Sequence, residues 1–206
     1  MSTIIPSIKE KDGVIYDPYS LLLKNRIIMV EGEINSNMAN SIIAQLLLLE
    51  HQGTEPIAMY INSPGGEIAA GLAIADTMEF INCDVITIGI GMQASMGSFL
   101  LASGAQGKRY ALKRSSIMIH RLSGGTQGDY HSMESNFDHL KRLHQDLLDD
   151  YVRLSGGKKT KEEFEELMRY DNWLTLDEAK EYGLIDHIIY DRKSFASLLE
   201  GSDVNA

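Results

Sequence analysis

The chain has 206 residues, a length that one hydrophobic core commonly serves, so a single domain over 1–206 is expected. Hydrophobic residues make up 44% of it and charged residues 23%, the averages of a globular domain, which excludes disordered, collagen-like and coiled-coil chains. A formal net charge of −10 opposes phosphate backbones, so no nucleic-acid partner is expected; no run approaches the ~18 apolar residues of a membrane span, so no membrane partner is expected either.

The N-terminal MSTIIPSIKEKDG has neither the charged-then-apolar order of a secretion signal nor an Arg-rich amphipathic run, so a cytoplasmic location is expected. Residues 26–31 and 56–61 read as short buried strands. Between them, Met38, Ile42, Ile43, Leu46 and Leu49 repeat at helical spacing over 36–50. The pattern recurs with a helix at 67–81, a strand at 85–90, a short apolar helix at 95–104 and strands at 108–112 and 115–119. Such alternation predicts an α/β domain with a largely parallel sheet. A long amphipathic helix follows at 130–154, marked by Met133, Phe137, Leu140, Leu147, Tyr151 and Leu154 and ended by Gly156-Gly157. A helix at 160–168 comes next. Thr175 with Glu178 three residues on is a capping-box signature for a helix through Glu181, stopped at Gly183. A strand at 185–190 and a helix at 193–199 complete the reading, and 200–206 reads as a flexible tail.

Two glycine-rich turns stand after predicted strands, where open α/β sheets place their sites. In Ile61-Asn62-Ser63-Pro64-Gly65-Gly66-Glu67, Pro fixes one φ and the glycines permit close approach of another backbone or a ligand. Two readings stand side by side: a cradle of peptide N–H groups for a negative oxygen, or a tight strand-to-helix turn. No Lys-Ser/Thr follows, so a nucleotide loop is not supported. The second turn, Gly89-Ile90-Gly91-Met92-Gln93-Ala94-Ser95-Met96-Gly97, has the logic of a nucleophile elbow, with Ser95 at a helix start and the Met96 N–H beside it. Taken alone it reads as a serine N-cap.

His120 shifts that reading. It ends the apolar run Ser116-Ile117-Met118-Ile119, which places an imidazole at a strand terminus, where it suits a general base for a serine hydroxyl. His51, His131, His139, His144 and His187 read as surface or late-strand residues. A carboxylate must orient such a base; Asp171, between two predicted helices, is the candidate, although its setting alone reads as a solvated or capping Asp. Cys83 is the one cysteine, and no Cys/His pattern of a zinc site occurs, so neither a disulfide nor a metal is expected.

Together, Ile61-Asn62-Ser63-Pro64-Gly65-Gly66, Gln93-Ala94-Ser95-Met96-Gly97, Gly107-Lys108-Arg109-Tyr110 and Met118-Ile119-His120 closely resemble the Clp protease proteolytic subunit family, nearly collinearly from about Tyr19 to about Ile189. Asn37-Met38-Ala39-Asn40 and Glu178-Ala179 with Glu181-Tyr182-Gly183-Leu184 belong to the same likeness. The resemblance implies a serine endopeptidase of crotonase-like α/β fold, with repeated ββα units and a protruding strand–helix handle. It implies Ser95 as nucleophile, His120 as general base, Asp171 as third triad member, and the Gly66 and Met96 N–H groups as oxyanion hole. By the same resemblance 1–18 is an axial segment and 121–155 the handle, through which two seven-membered rings stack; the strand part of 121–129 would pair with substrate or the opposite ring.

Implied partners are further copies of the chain, a ring-shaped AAA+ unfoldase of the ClpX, ClpA or ClpC type, and unfolded polypeptides. No cofactor is implied, since the unfoldase uses the ATP. The chain departs from the family pattern at Tyr170, where Arg is usual, after His120, where a Pro is usual, and at Ala58, where an unfoldase-docking pocket often has an aromatic residue and Tyr60 is kept. Two other readings share some of these features: a crotonase-type CoA-thioester enzyme, and a non-catalytic subunit of a mixed ring.

Overall fold

From Ile27 onward the apolar pattern alternates between period 2 and period 3.6, and the computed structural model, which describes residues 6–11, 13–125 and 127–192, places strands and helices accordingly. A hairpin of β1 (Ile8–Lys9) and β2 (Ile15–Tyr16) and a helix α1 (Pro18–Lys24) precede the main sheet. Then come β3 (Ile27–Glu31), α2 (Ser36–Gln52), β4 (Ile57–Ser63), α3 (Ile68–Phe80), β5 (Val85–Ala94) and α4 (Met96–Ala102). The strands β6 (Arg109–Leu112) and β7 (Ser116–Ile119) lead to α5 (Tyr130–Leu154), α6 (Lys161–Leu167), β8 (Asn172–Leu174), α7 (Leu176–Glu181) and β9 (His187–Ile189). The helix and tail expected at 193–199 and 200–206 lie outside the described residues.

Among the described residues, seven strands form one sheet. Parallel pairing runs in the order β3-β4-β5-β6-β9, and the sheet forks at β5. Its first half, Thr87 to Gly89, pairs with β6; its second half, Met92 to Ala94, pairs with β7, which in turn takes β8 antiparallel. The fork follows from a register break between β4 and β5, with Ile61 opposite Gly89 but Ser63 opposite Gln93. Gly91 sits in that break at φ 64, a left-handed backbone that glycine adopts without strain. Asn62 Oδ1 accepts the Met92 N–H at 3.1 Å, and Gln93 Nε2 donates to the carbonyls of Ile61 and Ile90 at 2.8 and 2.7 Å, so the extra residues are held by side chains. The 85–90 strand expectation therefore falls four residues short, because glycines that read as a turn belong to a bulged strand.

The core lies between the sheet and the helices α2, α3, α4 and the second half of α5. On α2 it takes Ala39, Ile42, Leu46 and Leu49, each buried and spaced three or four apart. On α5 it takes Leu147, Leu148, Tyr151 and Leu154, whereas Tyr130, Met133 and Phe137 in the first half are 68%, 38% and 53% exposed. Residues 121–125, expected to begin the strand part of the handle, adopt no strand; Arg121 N–H donates to Met168 O at 2.7 Å.

The capping box expected at Thr175 forms, and a second one forms at Thr160. The Thr160 and Thr175 side chains accept from the Glu163 and Glu178 N–H groups, and both glutamates reach back to the cap N–H. Since α7 has only six residues, its start depends heavily on that box. Thr175→Ala is expected to lower stability by about 1 kcal/mol, read as a lower midpoint of thermal unfolding with activity retained at temperatures below it.

Candidate active site

Three loops at the ends of β4, β5 and β7 converge on one cleft, lined in part by Gly66, Ser95, Met96, His120, Leu122 and Tyr151. The first loop is tied to its own strand. Ser63, fully buried, donates its hydroxyl to Gly32 O at 2.6 Å and accepts the Gly65 N–H at 3.0 Å. Gly66 then lies against Ile34: Ile34 N–H donates to Gly65 O, and Glu67 N–H to Ile34 O, both at 2.8 Å. In such a parallel bridge the middle residue turns its own N–H away from the bridge partner, and Gly66 lines the cleft together with Ser95 and Met96. A Cβ on Gly66 would sit 2.0 Å from Ile34 O, and one on Gly65 would sit 2.7 Å from Ala94 O and from Ser95 Cβ. Glycine is required at both because backbones meet there.

Ser95 follows the last residue of β5 and precedes α4. Its backbone, at φ 53 and ψ −122, is in a region that residues with a side chain rarely occupy. The surroundings enforce it: Ser95 N–H donates to Met118 O at 3.0 Å, while its carbonyl accepts from Ser98 N–H and Phe99 N–H at 3.0 and 3.1 Å. The reading of Ser95 as an N-cap is corrected by this geometry. Its side chain makes no cap hydrogen bond, because the strained φ/ψ swings the hydroxyl away from the helix, to His120 Nε2 at 2.8 Å.

Strand register explains the meeting. β7 lies parallel to β5 with Met118 opposite Ala94, so Ser95, one residue past Ala94, and His120, two past Met118, leave the sheet at the same edge. β8 lies antiparallel to β7 with Asn172 opposite Ile119, which puts Asp171 across from His120. The Asp171 carboxylate is 3.2 Å from His120 Nδ1, and Asn172 holds the approach by donating to Leu167 O at 3.0 Å. The imidazole is mostly sheltered, its side chain 21% exposed, whereas Asp171 is 67% exposed. With the proton on Nδ1, facing the carboxylate, the Nε2 lone pair faces the Ser95 hydroxyl, which donates to it. Such a set can raise the nucleophilicity of a hydroxyl and hold a proton between steps.

Of the residues singled out in the sequence, Gly66, Ser95, Met96, His120 and Asp171 all come together. His51, His131, His139 and His187 lie elsewhere, and His187 stacks on Tyr110 with ring centroids 5.2 Å apart. His144 differs from expectation: it lines the same cleft as Ser95, because α5 packs across the end of α4. Asn172 and Ser98 carry no functional signal in the sequence, and the spacing of Tyr151 four residues after Leu147 signals only a core position. Among the described residues no group of three His, Cys, Asp or Glu side chains could hold a metal ion, and no helix is long and apolar enough to cross a membrane.

Comparison with known proteins places the chain in a family. The family model for Clp protease matches residues 9–192. The ATP-dependent Clp protease proteolytic subunit of Ligilactobacillus salivarius (strain UCC118) is 46% identical over 194 residues, covering 92% of this chain and 98% of that relative. The chain belongs to the Clp protease family. Its enzyme class is that of a serine endopeptidase.

Proposed function

We propose that the chain cleaves peptide bonds of unfolded polypeptides with Ser95 as nucleophile, His120 as general base and Asp171 as the group that orients it. The observation that carries the reading is the unbroken line from Ser95 Oγ through His120 to Asp171, at 2.8 and 3.2 Å, in one cleft. Ser95 Oγ attacks the scissile carbonyl carbon as His120 Nε2 takes its proton. The carbonyl oxygen becomes an oxyanion facing the Gly66 and Met96 N–H groups. Collapse breaks the C–N bond, His120 gives the proton to the leaving amine, and an acyl ester remains on Ser95. Water, deprotonated by His120, then frees the acid and restores the hydroxyl.

The working unit in this reading is two stacked seven-membered rings, held together through the 121–155 handle. The exposed Tyr130, Met133 and Phe137 on α5 support it, since large apolar side chains along one helix favour a protein partner. An AAA+ unfoldase would supply unfolded chains and use the ATP, with no cofactor on this chain. An apolar surface hollow formed by Tyr60, Ile88, Leu112, Ile189 and Tyr190, edged by Lys113 and Arg114, supports a docking role there. A cytoplasmic location fits this partnership.

A fluorophosphonate probe tests the reading. Incubated with the purified protein, it is expected to attach covalently, with the labelled peptide carrying the adduct on Ser95. Native mass measurement of the same sample is expected to give a fourteen-subunit particle that hydrolyses fluorogenic peptides. An adduct on another residue would overturn the catalytic assignment, and a labelled monomer with full peptidase activity would overturn the ring.

A further inference from the structure

Behind Ser95 runs a second line of hydroxyl groups. Ser98 Oγ donates to the Ser95 carbonyl at 2.7 Å, and the Tyr151 hydroxyl of α5 lies 3.3 Å from Ser98 Oγ. The direction of the bonds follows from proton count: Ser98 has one hydroxyl hydrogen, committed to Ser95 O, so Tyr151 is the donor to Ser98. Tyr151 is fit for that part. It is 6% exposed, its ring stands edge-on to Phe99 at 5.5 Å and against Phe164 at 5.5 Å, and burial pushes its phenol up to about 12. It therefore keeps its proton at any pH at which the enzyme would work.

The acceptor at the end of this line is the important atom. Ser95 C=O and Met96 N–H belong to one peptide group, which is planar and trans, so the oxygen and the hydrogen point in opposite directions. Three donors on the Ser95 oxygen, from Ser98 N–H, Phe99 N–H and Ser98 Oγ, draw it into the first turn of α4. The Met96 N–H is thereby aimed the other way, out of the helix and into the cleft. A ψ of −122 at Ser95 is one that the chain would relax away from without such restraint. A serine that bonds back to a carbonyl three residues earlier is common in helices; here that serine is itself held from a different element, 53 residues downstream.

We infer that Tyr151 is a positioning residue for the oxyanion hole: through Ser98 it fixes the peptide plane between Ser95 and Met96, and with it the direction of the Met96 N–H. The inference rests on the proposed roles of Ser95 and Met96. Its effect belongs to the transition state, because the donor must meet the tetrahedral oxygen and not the flat carbonyl of the bound substrate.

Tyr151→Phe removes the hydroxyl and leaves the ring against Phe99 and Phe164. It is expected to lower kcat about three- to tenfold, the scale of one hydrogen bond, with KM changed less than twofold. Affinity for a peptide boronate, which forms a tetrahedral adduct on a serine, is expected to fall in proportion to kcat, while affinity for the cleaved product peptide stays the same. Ser98→Ala is expected to act alike, and the double variant to be no slower than the slower single, because both cut one line. Wild-type kcat in Tyr151→Phe would overturn the inference, as would a change confined to KM or two effects that multiply. Native mass is read alongside. If Tyr151→Phe alters assembly, Ser98→Ala in an intact particle decides: an unchanged kcat overturns the inference, and a kcat lowered at constant KM upholds it. Ser95→Ala separates the two levels. If it abolishes labelling while Tyr151→Phe is wild-type, the inference alone falls; if it still labels fully, the reading beneath it falls too.

Discussion

Ser95→Ala is expected to abolish fluorophosphonate labelling and to reduce peptide hydrolysis on the order of 10⁶-fold in kcat, the size of loss that follows removal of the nucleophile from a working triad. The loss is that large because the other parts depend on it. His120 Nε2 has the Ser95 hydroxyl as its partner at 2.8 Å, and without it the imidazole has no proton to take. The fold should be nearly untouched. The hydroxyl caps no helix N–H, and the bonds that restrain Ser95 come from its N–H and its carbonyl, both of which alanine keeps. A thermal midpoint close to wild type together with unlabelled protein is the expected pair of results; hydrolysis within tenfold of wild type would remove Ser95 from the mechanism.

The largest expected effect on stability lies elsewhere, at Arg109. Its guanidinium is 2% exposed and fully engaged: Nε and Nη2 donate to the two oxygens of Asp186 at 2.9 and 2.7 Å, and Nη1 donates to Ala102 O and Leu154 O at 3.2 and 2.6 Å. The Arg109 N–H also donates to Asp186, at 3.0 Å. One side chain thus ties β6 to the turn that leads into β9, to the end of α4 and to the end of α5. Arg109→Met is expected to cost about 3–5 kcal/mol, because it strips a partly buried carboxylate of its counter-charge and two of its donors, and takes a donor each from the Ala102 and Leu154 carbonyls. Changing Asp186→Leu in the same chain should recover much of that, which separates the penalty of a stranded charge from the worth of the pair. A loss below about 1 kcal/mol in urea unfolding would contradict the account.

The same pair sets an acid limit. Burial pushes the Asp186 carboxyl up, but the hydrogen bonds and charge of Arg109 outweigh it and hold the group below the ordinary aspartate value. A carboxylate depressed in the folded state stabilises fully above its unfolded pKa and stops doing so as pH falls through the folded one. Wild type should therefore lose this contribution in the acid range below that ordinary value. The Arg109→Met/Asp186→Leu chain should show a shallower acid slope.

How much of this was legible beforehand depends on the range of the forces involved. The helix expected at 130–154 is α5 itself, and those expected at 36–50, 67–81 and 160–168 end within two residues of α2, α3 and α6, because period and caps are local signals. β8 was missed: three residues are too few to show a period, and Asn172-Trp173-Leu174 is a strand by virtue of lying beside β7. α1 had its signal in Asp17-Pro18, an N-cap followed by Pro at the first position, but its seven residues are too few to show an apolar period and none is fully buried. In the site, the residues were legible and the relation between them was not. Ser95, His120 and Asp171 stood out by motif and resemblance, while their meeting depends on two strand registers and a bulge that sequence spacing does not encode. Tyr151 shows the opposite limit. Its pattern says core, and only the atom 3.3 Å away gives its hydroxyl a part to play.

The Arg109 lock also bears on the order in which the chain can be completed. Its partners are spread along the chain, seven residues upstream at Ala102, 45 downstream at Leu154 and 77 downstream at Asp186. During synthesis β6 emerges long before the carboxylate that neutralises it. Until Asp186 has left the ribosome, the guanidinium is better placed in water than in the core, so the seat beneath β6 stays open and the nascent chain is held short of its final packing. The final quarter of the polypeptide closes the fold.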